Sequence, residues 1–132
     1  MYRVSVVVLH YENLQDTLEC IESLNAQNEK EFDIVVVDNG SKNGKIDTIE
    51  NSFFDNKNIH FLHSDTNLGF AKGNNLGFHY AKEVLKSSII VLANNDLIFD
   101  EPDFITKVQN AYIKYKYDVA GPKIISLVDG MN

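Results

Sequence analysis

The sequence is short of several things at once, and each shortage removes a class of protein. It holds one cysteine, two prolines and no tryptophan in 132 residues. With Cys20 alone, an internal disulfide is impossible and a zinc site built on several thiolates is excluded. Basic residues are outnumbered, 12 against 19 acidic, for a formal net charge of −7, and they form no cluster. A nucleic-acid surface needs a basic stripe to replace counterions, so that class of partner is set aside. Phosphorylated small molecules are not, because a metal ion and helix N-termini hold phosphates without many basic side chains. Long apolar runs are missing too. The N-terminal stretch MYRVSVVVLHYEN is too short for a signal peptide or a membrane span. The expectation is a cytoplasmic protein without a transmembrane segment, with peripheral association at the inner membrane face left open.

What is present is ordinary for one globular domain. Hydrophobic residues make up 44%, enough for one core, and there is no internal repeat or low-complexity stretch. Apolar runs alternate with helical patterns, which predicts a mostly parallel α/β sheet flanked by helices. Strands are expected at 4–9, 32–37, 59–62 (near an edge) and 88–93, with shorter ones at 119–120 and 124–128. Asn13 is placed to cap a first helix, with Asp16 in a box-like position and Leu14, Leu18, Ile21 and Leu24 at helical spacing. Cys20 lies beside that stripe as a small buried filler. Ile46, Ile49 and Phe53 mark a shorter helix, and the segment from Asn67 opens a long one. Pro102 suits a first helical turn before Ile105, Val108 and Tyr112. Asp129 and Gly130 after an apolar run signal a hairpin whose returning strand is absent. The expectation is a fragment, 1–132, of a longer protein.

Polar clusters follow directly on three of these strands: His10 and Tyr11, Asp38 and Asn39, and Asn94, Asn95 and Asp96. In a parallel sheet all strand C-termini share one edge, and ligands bind there where the strand order reverses. Asp38 is suited to accept from a nucleobase N–H or a ribose hydroxyl, although the plainer reading is a turn residue binding its own backbone. Asp96 is a hard oxygen donor suited to Mg²⁺ or Mn²⁺, which take one or two carboxylates and complete their shell with phosphate and water. Asn94 is a second ligand, through its carbonyl or through water. The segment from Asn67 to Gly77 carries glycines that cost about 1 kcal/mol each in a helix. Close approach of a backbone or ligand accounts for Gly73, and Asn74 and Asn75 are placed for sugar hydroxyls or for fixing a loop. Tyr11 is either a base-stacking ring or a core-edge tyrosine. The remaining histidines, His60, His63 and His79, lack metal-ligand spacing.

These motifs together resemble the N-terminal part of inverting family 2 glycosyltransferases with the GT-A (Rossmann-like) fold, notably the rhamnosyltransferase-like branch. The matching stretches are VSVVVLHYEN at 4–13, VVVDNGS at 35–41, NLGFAKGNNLG at 67–77, VLANND at 91–96 and GPKI at 121–124. The resemblance implies that Asp38 binds the base, that Tyr11 lines its pocket, and that Asp96 holds the metal–diphosphate. His10, Asn67, Gly73, Asn74 and Asn95 are carried as further nucleotide-sugar contacts. It implies a UDP- or dTDP-sugar donor, a saccharide or lipid-linked acceptor, and a role in cell-wall or polysaccharide synthesis. Two departures stand out. His10 and Glu12 occupy positions where Thr and Asn are common, and Asn94 replaces the first Asp of the metal motif. The catalytic base, an Asp or Glu, belongs to the family's acceptor half, so the fragment alone is expected to bind donor without transferring sugar.

Other classes fit less well. A dinucleotide-dependent oxidoreductase needs G-x-G-x-x-G after the first strand, where this chain reads HYENL. A nucleotidyltransferase would carry a Gly-rich basic loop there. A non-catalytic binding module with a degenerate site is the remaining alternative.

Overall fold

The computed structural model describes residues 2–123. Four parallel strands form one sheet: β1 (Val4–His10), β2 (Asp33–Asn39), β3 (Ile59–Ser64) and β4 (Ile89–Asn94), in the order β3-β2-β1-β4. The central pair is buried on both faces, as continuous β-branched runs such as VSVVVLH require. β3 and β4 flank them and are more exposed.

Alternate strand residues feed two cores. Val4, Val6, Val8, Ile34 and Val36 pack with Cys20, Ile21 and Leu24 of α1 (Leu14–Asn25) and with Ile105 of α4 (Phe104–Tyr115). Val7, Val35 and Val37 face the other way, toward Ala81 and Leu85. A short α2 (Asp47–Glu50) runs on into a 3₁₀ turn. α3 (Phe70–His79) continues as a π-helical turn, Tyr80–Val84. It crosses the sheet at glycine distance: a Cβ on Gly77 would lie 2.2 Å from Val7 Cγ1, and one on Gly73 2.8 Å from Leu9 Cδ1. The helical glycines therefore serve helix–sheet approach.

Capping of α1 is as expected. Asn13 Oδ1 accepts from the Asp16 N–H at 3.2 Å, and Asn13 Nδ2 donates to the Asp16 carboxylate at 2.8 Å. The ends of the four strands fall within two residues of those expected, and two other expectations fail. Pro102 sits in the turn before α4 rather than in its first turn. The strand expected at 119–120 does not form: Val119 is 91% exposed, and no strand lies beside it among the described residues. An isolated extended segment has no ladder to join, and Gly121-Pro122 follows at once. The strand and hairpin expected at 124–130 lie outside the described residues.

Candidate nucleotide-sugar site

The strand order puts a topological switch point between β1 and β4. α1 leaves β1 over one face toward β2, while α3 returns over the other face to β4. The register sets Asp38 beside His10, and Asn94 beside Leu9. With strands about 4.8 Å apart, the backbones of Asp38 and Asn94 stand about 10 Å apart across β1. Tyr11, Asp38 and the Asn94–Asp96 turn thus share the C-terminal edge of the sheet. Two shallow surface hollows, around Phe53 and Asn58 and around Phe32 and Ile59, lie away from it, toward the N-terminal ends of β2 and β3.

Asp38 is 3% exposed, and both carboxylate oxygens already accept backbone N–H groups, from Ser41 at 3.0 Å and Ile46 at 2.9 Å. The turn-forming role is therefore present. Each oxygen keeps a further lone pair. Tyr11, 45% exposed, stands free at the rim.

His10 is fully buried, with both ring nitrogens engaged. Nε2 lies 2.5 Å from the Gly44 carbonyl, Nδ1 lies 2.6 Å from Thr17 Oγ1, and Asn95 Nδ2 donates to Thr17 Oγ1 at 3.1 Å. A carbonyl only accepts, so Nε2 carries the proton. Nδ1 then accepts from the Thr17 hydroxyl, which accepts in turn from Asn95. All donors point the same way, from β4 through α1 and β1 to the loop after β2. His10 and the Asn95 amide, expected as ligand contacts, are in this arrangement internal supports of the rim.

Glu12 closes the same loop from outside. Its backbone lies at φ 63°, left-handed for a residue with a Cβ and costing on the order of 1 kcal/mol. Its carboxylate accepts from Lys42, Asn43 and Gly44 N–H at 2.5, 3.0 and 2.7 Å. The N–H of Lys42, then that of Gly44, holds the Glu12 carboxyl below its ordinary range against a smaller opposing desolvation.

Asn39, which the sequence placed only in the polar cluster with Asp38, is the hub that holds the Asn67–Gly69 turn. Its Oδ1 accepts from Leu68 N–H at 3.0 Å, and its Nδ2 donates to Gly69 O at 3.2 Å and Asn67 Oδ1 at 3.3 Å. Asn67 thus fixes the entry to α3. Gly73 leaves room for the Asn39 amide, which a Cβ would meet at 2.9 Å. Asn74 is buried, donates to Phe70 O at 3.0 Å, and has an Oδ1 without a partner among the described residues.

The β4 rim is different. Asn94 and Asp96 are exposed, and among the described residues the Asp96 carboxylate makes no hydrogen bond. Its charge is felt at Cys20, whose thiol is pushed up to about 12, first by burial and then by Asp96. No group of three or more His, Cys, Asp or Glu side chains among the described residues forms a protein-only metal cage. One free carboxylate with an adjacent amide does fit a Mg²⁺ or Mn²⁺ ion whose remaining ligands are phosphate and water.

The model of the family described as "Glycosyl transferase family 2" matches residues 5–130. The chain belongs to this family. A hexosyltransferase of low-salt glycan biosynthesis, Agl10 from Haloferax volcanii, is 24% identical over 123 residues, covering 93% of this chain and 37% of that protein. Among solved structures, the mannosyltransferase PcManGT from Pyrobaculum calidifontis, in complex with GDP-Man and Mn²⁺, superposes with a TM-score of 0.76 at 18% identity. That match covers 86% of this chain and 33% of the other. S. aureus TarS 1–349 in complex with UDP gives 0.70 at 20% identity, over 94% and 38%. The chain therefore spans about a third of the length of these relatives. The GT-A, Rossmann-like sheet expected from the sequence is the fold found.

Proposed function

We propose that this chain, as a single nucleotide-sugar-binding domain, supplies the donor half of an inverting, metal-assisted glycosyltransferase of the rhamnosyltransferase-like branch. The donor is a UDP- or dTDP-sugar. The acceptor is a saccharide or lipid-linked glycan of cell-wall or polysaccharide synthesis, met in the cytoplasm at the inner membrane face. One observation carries the reading: the switch point between β1 and β4 brings the Tyr11–Asp38 rim and the Asn94–Asp96 turn to one sheet edge. Relatives of this fold with GDP-Man and Mn²⁺, or with UDP, support it. Among the described residues no helix is long and apolar enough to cross a membrane; the association proposed is peripheral.

In this reading the Tyr11 ring packs on the base, and the spare lone pairs of Asp38 accept from a base N–H or ribose hydroxyl. Asp96, with Asn94 beside it, would hold a divalent cation whose remaining ligands are phosphate and water. Bound there, the ion would neutralise charge on the departing nucleoside diphosphate. The acceptor hydroxyl loses its proton to an Asp or Glu of the acceptor half. Calorimetry with UDP, dTDP and GDP, with and without Mn²⁺, tests the proposal. Binding that needs Mn²⁺ and disappears in Asp96→Asn and Asp38→Ala is expected. Tight NAD binding, or nucleotide binding indifferent to both substitutions, would defeat it.

A further inference from the structure

Glu12 has no part in the donor chemistry above, yet few side chains here are tied so thoroughly to a loop. Its carboxylate takes three successive N–H groups, Lys42 to Gly44, and its own N–H donates to Ser41 Oγ at 2.8 Å. Gly44 presses on it directly, since a Cβ there would lie 1.7 Å from the Glu12 carbonyl oxygen. The two ends of the same loop, Ser41 and Ile46, donate to Asp38. Two carboxylates thus take the N–H groups of residues 41–44 and 46. Asp38 is gripped by the loop, and the loop is gripped by Glu12. A concave run of successive backbone N–H groups is an anion-binding nest, and here the anion is built into the chain.

Lys42 and Asn43 lie on the surface. Water can satisfy these two N–H groups if the carboxylate is removed, and only the N–H of Gly44, which is buried, loses a partner that water does not readily replace. The larger consequence falls on loop freedom. We propose that Glu12 is a positioning residue for the nucleotide pocket: it clasps the 41–46 loop to the end of β1, fixing Asp38 relative to the neighbouring Tyr11. This rests on the donor-binding reading above.

The test uses the chain with Glu12→Ala and Glu12→Gln, the second keeping the side chain's size but turning an amide –NH₂ toward donors. Amide hydrogen exchange at Lys42, Asn43 and Gly44 is read at fixed pH without nucleotide. Affinity for UDP, dTDP and GDP is read with Mn²⁺. Both variants are expected to fold, to exchange these amides about tenfold faster, and to bind nucleotide about tenfold more weakly. Added acetate should occupy the vacant nest of Glu12→Ala and restore part of the affinity, which a purely structural role would not give. Unchanged exchange overturns the clasp. Wild-type affinity in both variants overturns the positioning role alone. Unfolding of both variants overturns it too, because it makes Glu12 a structural residue. Absence of nucleotide binding by the wild-type chain defeats the donor reading and the pocket role together.

Discussion

The two rims of the sheet edge are built on opposite plans. On the β1–β2 rim, Asp38, Asn39, His10 and Glu12 have their polar atoms committed to named partners, mostly backbone. On the β4 rim, Asn94 and Asp96 stand in solvent, and among the described residues the Asp96 carboxylate has no partner. In the donor-binding reading proposed above, the difference separates two tasks. A flat base needs a fixed shape, which intramolecular hydrogen bonds supply in advance. A divalent cation brings its own strong field and completes its shell from phosphate and water, so a carboxylate left free costs the fold nothing.

The contrast can be broken hardest at Gly40. Its φ is +78°, and a Cβ would fall 2.2 Å from the Thr66 carbonyl carbon. Gly40→Ala should cost about 3 kcal/mol or more by denaturant unfolding, the largest loss expected at either rim. Asp38→Ala strands two buried N–H groups and should cost about 2 kcal/mol. Asn95→Ala removes the donor to Thr17 and should cost about 1 kcal/mol. Asp96→Ala, on the bare rim, should leave stability within about 0.5 kcal/mol while abolishing Mn²⁺-dependent nucleotide binding. A loss of stability like that of Asp38→Ala would erase the distinction between the rims. Acid gives the smallest and most local effect. The Glu12 carboxyl is depressed below its ordinary value near 4.5, so its contribution is complete above that pH. It is lost as pH falls through the lower folded value. The Lys42, Asn43 and Gly44 amide signals should shift together in that window.

The elements were legible in the sequence because their causes are local. β-branched runs gave β1 and β2, spacing gave α1, and Asn13 with Asp16 marked its start. The edge position of β3 was legible too. Two things were not. Pairing across long separations left no periodic trace, so the hub role of Asn39 and the loop-binding role of Glu12 were invisible. Burial also reassigned residues that carry ligand-type chemistry. His10 reads as a contact in a motif, but the fold gives both its nitrogens to other residues. Gly73 read as room for a backbone or ligand, and the room is taken by the Leu9 and Asn39 side chains. At 119–120 propensity suggested a strand, but no neighbour is there to make one.

The string from Asn95 through Thr17 and His10 to Gly44 also bears on the order of assembly. Its links join positions 78, 7 and 34 residues apart. It closes only when the first helix, the second crossover and the fourth strand have all docked. Native contacts of such sequence separation form slowly, because chain must be looped before they yield anything. The His10 ring resonances thus report the docking of the first helix and the second crossover, and the Asn95 side-chain amide, the donor to Thr17, reports the arrival of β4.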